Sequence, residues 1–136
     1  MGVSASKGLL RAAASGDTFT IHKLVEQRGF IRVDVTNSEG STSLILASGN
    51  GHSEIVTFLL KQNAYVNSAN NKGLTSLMYA SYHGYSVIVG LLIAAGADLD
   101  SVDKDGSTSL MFACWQGHLD VSEDQLPSVY LWTVIV

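Results

Sequence analysis

Cysteine is almost missing from this chain of 136 residues: Cys114 stands alone, so no disulfide can form within the chain. That fits a reducing compartment. Proline is as scarce, and the single one, Pro127, breaks any helix in the last segment. Charged side chains make up only 15% of the residues, against roughly 25% in an ordinary globular chain. Eight basic residues oppose twelve acidic ones, a net charge of −4, which removes any general attraction to nucleic acid. No stretch reaches the ~18 consecutive apolar residues of a membrane span. The opening MGVSASKG also lacks the long apolar run of a signal peptide.

Signatures of chemistry are missing as well. There is no G-x-S-x-G elbow and no G-x-x-x-x-G-K-[ST] phosphate loop. The four histidines follow no zinc spacing. Asp98, Asp100, Asp103 and Asp105 precede Gly106, but a calcium loop needs a glutamate six residues after its glycine, where Phe112 stands. They read as turn residues. No cofactor and no metal are expected.

What is present is a 33-residue echo. GSTSLILASGNGHSEIVTFLL starts at Gly40, GLTSLMYASYHGYSVIVGLLI at Gly73 and GSTSLMFACWQGHLDV at Gly106, with 73 − 40 and 106 − 73 both equal to 33. Such a period marks a stacked array, in which each unit is too small to bury its own apolar face and neighbours supply the core.

One unit shows the local logic. Asn70–Gly73 is turn chemistry, with glycine able to adopt positive φ. Thr75 is placed to cap a short helix, along which Leu77, Met78, Ala80 and Ser81 recur at helical spacing. The small Ala80 and Ser81 allow a neighbouring helix to approach. Gly84 ends the helix. A second helix follows with Ile88, Val89, Leu91, Leu92 and Ile93, an apolar set expected to be buried on more than one side. The unit at Gly40 reads alike. An earlier copy, LLRAAASGDTFTIHKLV, keeps the offsets but has Ala5 where the others open with glycine. Helix pairs are expected to begin near Ser43 and Ser53, Ser76 and Ser86, and Ser109.

These residues make the chain resemble the ankyrin-repeat family over roughly residues 5–121. Asp103, Gly106, Thr108, Leu110, Ala113, Gly117 and His118 carry the family pattern in one copy. Gly40, Thr42, Leu44, Ala47, Gly51, His52, Val56, Leu59 and Leu60 carry it in another. Two departures recur: Ser43, Ser76 and Ser109 replace the family proline, and Ile45, Met78 and Met111 replace its histidine. The second change removes a side-chain hydrogen bond to the threonine. The resemblance implies an all-α solenoid of about four helix-turn-helix units joined by β-hairpin-like turns, the last incomplete. The units are 5–39, 40–72, 73–105 and 106–126, after a short segment 1–4 and before an atypical apolar tail, 127–136. The last unit departs from the pattern in its second helix, because Ser122 falls where Val56 and Val89 stand and Gln125 where Leu59 and Leu92 stand. Cys114 shares the small-residue slot of Ser48 and Ser81 and is expected as a packed core thiol.

The resemblance also implies a non-enzymatic adaptor or scaffold binding a protein partner through its concave face and turn tips. Nine residues after the opening glycines come Gly49, Tyr82 and Trp115, followed by Asn50, His83 and Gln116. Tyr82 and Trp115, one repeat apart, have hot-spot composition. Candidate binding residues are Tyr82, His83, Trp115, Gln116 and Asn50, with Lys72, Leu74, Glu39 and Asp105 at the turn tips. The first 72 residues hold seven Lys/Arg against five Asp/Glu, and the rest hold only Lys104 against seven acids; the acidic end could steer a basic partner. Met1–Ser6 matches the N-myristoylation pattern M-G-x-x-x-[ST], which makes Gly2 a lipidation candidate. A monomer is expected, cytoplasmic, with peripheral membrane contact if Gly2 is acylated. The alternative is a substrate-recruiting fragment of a larger ankyrin-containing protein, such as a RING ubiquitin ligase.

Overall fold

A computed structural model describes residues 2–28 and 32–118. Among these residues it shows seven helices: α1 Gly2–Ser15, α2 Thr18–Arg28, α3 Ser43–Gly49, α4 Ser53–Lys61, α5 Ser76–His83, α6 Ser86–Ala94 and α7 Ser109–Trp115. Five of them begin at the serines that the register singles out. The atypical tail and the doubtful second helix of the last unit lie outside the described residues.

The threonine ahead of each inner helix sets its start. Oγ1 of Thr42, Thr75 and Thr108 accepts the backbone N–H of Ile45, Met78 and Met111 at 3.2, 3.3 and 3.3 Å. One orphan donor of each first turn is thereby satisfied. The missing family histidine is partly replaced in one unit, where Met78 Sδ accepts the N–H of Thr75 at 3.4 Å. The first unit differs: α1 runs for 14 residues against seven and eight in α3 and α5. Ala5 offers no positive-φ break, so the helix continues through the level at which the other units turn. Residues 2–4, read from the sequence as a separate segment, form its first turn.

The turns repeat as closely as the helices. Asn37, Asn70 and Asp103 each use a side-chain oxygen to accept two backbone N–H groups two and four residues on. Short antiparallel bridges, Thr36 to Thr42 and Ala69 to Thr75, close two of the turns. Successive turns stack: the N–H of Asn71 donates to the Glu39 carbonyl at 2.9 Å and that of Lys104 to the Lys72 carbonyl at 3.1 Å.

The helices form two layers. α1, α3, α5 and α7 pack in series, and α2, α4 and α6 lie behind them. Leu9, Ile21, Leu44, Ile55, Val56, Leu59, Leu77, Ile88, Val89 and Leu92 fill the space between. Ala47, Ser48, Ala80, Ser81 and Ala113, fully buried, let the inner helices approach. The apolar α6 is less enclosed than its composition suggests: Val87 is exposed, and Leu91 and Ile93 are half-buried.

Rings from one unit also lock onto the unit before. The Nε2–H of His52 donates to the Ala14 carbonyl at 3.1 Å, and that of His118 to the Tyr82 carbonyl at 3.0 Å. The inter-helix glycines make room for them: a Cβ on Gly84, whose φ is +72°, would stand 2.5 Å from the His118 ring.

Candidate partner-binding face

The face begins with Tyr79, on α5. Its hydroxyl accepts a hydrogen bond from Asn70 Nδ2 at 3.0 Å. Its ring lies beside Gly49, where a Cβ would meet it at 3.5 Å. Held through its hydroxyl, the ring makes a floor. Leu74, Met78, Tyr79, Tyr82, His83 and Phe112 line a groove of about 240 Å³ on this floor, between α5 and α7. Its walls are almost wholly apolar.

Tyr82 and Trp115 are exposed, at 43% and 64%, where aromatic rings are usually covered. They do not form the direct pair that their register suggests. Phe112 stands between them, its ring centroid 6.2 Å from Tyr82 and 5.7 Å from Trp115, both edge-on. On the other side Tyr82 meets His83 edge-on at 5.0 Å, and His83 stacks on Tyr85 at 5.4 Å. The result is a continuous row of rings across two units.

The other candidates divide. Leu74, expected at a polar turn tip, is half-buried and lines the groove itself. Gln116 follows Trp115 and caps α7 through its backbone. Lys72 and Asp105 sit exposed on stacked turns: Lys72 lends its carbonyl to the next turn, and the N–H of Asp105 is held by Asp103. Glu39 is exposed on the turn one unit earlier, and Asn50 Nδ2 folds back onto the Leu46 carbonyl at 2.9 Å. Neither lines the groove. Gly2 opens α1, two units before it.

Cys114 departs from expectation. It is exposed, whereas Ser48 and Ser81 in the same slot are fully buried. The physical reason is stacking: α5 covers α3 and α7 covers α5, but no described helix covers α7.

Sequence reasoning missed Phe112 and Tyr79. Both stand six residues after their opening glycines, 112 − 106 and 79 − 73, where the unit at Gly40 carries Leu46. Aromatic residues at that offset in two adjacent units were a readable signal.

A family model described as ankyrin repeats in three copies matches residues 9–103. A second, ankyrin repeats in many copies, matches residues 87–123. Among curated proteins, none matches the chain. With helix pairs, stacked turns and inter-unit histidines all in a 33-residue register, and a family match over most of its length, the chain belongs to the ankyrin-repeat family.

Proposed function

We propose that this chain is a non-catalytic interaction module whose α5–α7 face holds a protein partner. Ankyrin repeats are generally protein–protein interaction modules. The observation that carries the reading further is the ring row Tyr82–Phe112–Trp115 above an apolar groove. Exposed aromatic rings on such a floor gain large buried area at small entropic loss when a partner covers them. An apolar side chain of the partner would fill the groove beside Leu74 and Met78. Lys72, Asp105 and Gln116 would form a polar rim, with His83 as an edge donor. Glu39 and Asn50 would be reached only by a partner that extends toward the preceding unit.

The test needs a partner recovered with the full chain and then titrated by calorimetry. Tyr82→Ala and Phe112→Ala should each weaken binding by at least ~1–2 kcal/mol, with circular dichroism unchanged. Glu54→Ala, exposed on α4 in the other layer, should do little. Wild-type affinity in both ring variants, with the fold intact, would remove this face as the working surface.

A second reading is the recruiting arm of a larger protein such as a ubiquitin ligase. It draws on the end of the stack, where Met111 is 38% exposed although Met78, its equivalent, is buried. That end face can receive a further unit. A transcript that continues the repeat beyond Val121 would favour this reading.

A further inference from the structure

A second, larger groove lies at the other end of the array. It has a volume of about 1110 Å³ and runs between α1 and the segment from Arg32 to Ser38. Its origin follows from the turn register. In the inner units the turn N–H donates to the carbonyl of the preceding turn, from Asn71 to Glu39 and from Lys104 to Lys72. The same register one unit earlier puts the donor at Ser38, since 71 − 33 = 38. The matching acceptor position, Ser6 (39 − 33), lies inside helix α1, so among the described residues no turn stands there. The slot filled by a turn inside the array is here an open groove, and Ser38 lines it.

The lining has a definite chemistry. Lys7 and Arg11, four residues apart, share one face of α1, and Arg32 joins them from the opposite segment; all three are exposed. Among the described residues Asp34 is the one carboxylate in the lining, and its Oδ1 already accepts the N–H of Tyr65 at 2.9 Å. Val3, Leu10 and Val35 supply apolar surface. Three cations over an apolar floor, with a missing backbone acceptor for Ser38, describe the complement of their occupant. An extended chain turns alternate side chains to opposite sides. It can place carboxylates on the cations, apolar groups on the floor and a carbonyl on the Ser38 N–H.

We propose that this groove binds an acidic extended segment of a partner protein, which adds to the array in the place of the absent turn. Groove walls on two sides favour a peptide over the flat surface of an anionic membrane. The proposal is independent of the aromatic face.

The probe is a short peptide alternating glutamate with valine, titrated into the isotope-labelled full chain by NMR. Its counterpart with glutamine for glutamate is the control. The amide of Ser38 and those of Lys7 and Arg11 should shift with the acidic peptide only. Lys7→Glu combined with Arg11→Glu should weaken binding roughly tenfold or more, and Arg32→Glu, a separate variant on the opposite wall, should weaken it too. Tyr82→Ala should leave it unchanged. Equal binding of the glutamine peptide would overturn the proposal, as would wild-type affinity in folded charge-reversal variants. So would a response of the same amides to phosphatidylserine vesicles but not to the peptide.

Discussion

Gly16→Ala tests whether units are joined by ring-into-glycine contacts. Gly16 has a φ of +81°, and a Cβ there would stand 2.7 Å from Cε1 and 2.8 Å from Nδ1 of His52. Two penalties follow. A left-handed backbone costs an L-residue about 1–2 kcal/mol. The displaced ring also loses its hydrogen bond to the Ala14 carbonyl, worth about 0.5–1.5 kcal/mol. The sum is roughly 1.5–3.5 kcal/mol, a large part of the ~5–15 kcal/mol that holds a domain folded. Gly96→Ala is the control: φ is +92° there, but nothing lies within 4 Å of the new Cβ. It should lose only the backbone part, about 1–2 kcal/mol. Urea unfolding followed by circular dichroism reads both, with the slope checking that cooperativity is kept. In a His52→Ala background the Gly16 penalty should fall to the Gly96 level, since the cycle isolates the pair. If Gly16→Ala costs no more than Gly96→Ala, or the same with and without His52, the steric account is wrong.

Two further outcomes are expected. Ser76 is buried as the first residue of α5, with its hydroxyl unpartnered, behind Thr75 in extended backbone of φ −95° and ψ 168°. Proline fits that position and its predecessor, so Ser76→Pro should raise stability by about 0.4–1 kcal/mol in the same urea assay; a loss would mean the ring does not fit. Asp17 has its carboxyl held below the ordinary value of 3.8 by the Thr20 hydroxyl and then by the Thr20 N–H. A lowered folded value means stability that is present above pH 3.8 and lost as pH falls through the folded value. Asp17→Asn keeps a capping oxygen but should flatten that acid-side decline, measured as unfolding midpoint against pH.

The register carried most of the fold. Glycines 33 residues apart, a threonine before each inner helix and apolar residues at helical spacing are local properties, and local hydrogen bonding enforces them. Helix starts at Ser43, Ser53, Ser76, Ser86 and Ser109 were legible for that reason. So was the array itself, because units this small must stack. Of the groove residues, Tyr82, His83 and Leu74 were candidates from the sequence, Leu74 as a turn-tip residue, while Phe112 and Tyr79 were overlooked although their shared offset was readable. Their part depends on which side chains of neighbouring helices meet, as the Tyr79 ring lies beside Gly49 of α3 and the Phe112 ring of α7 meets Tyr82 of α5 edge-on. Cys114 makes the same point in reverse: its slot is a core position wherever a helix follows, and its exposure was set by stacking and not by the residue. The open slot beside Ser38 exists because α1 runs through the level at which the other units turn. Periodicity thus determined what each unit is. Only the tertiary structure decided which faces a neighbour covers, because burial belongs to the contact between units and is written in neither alone.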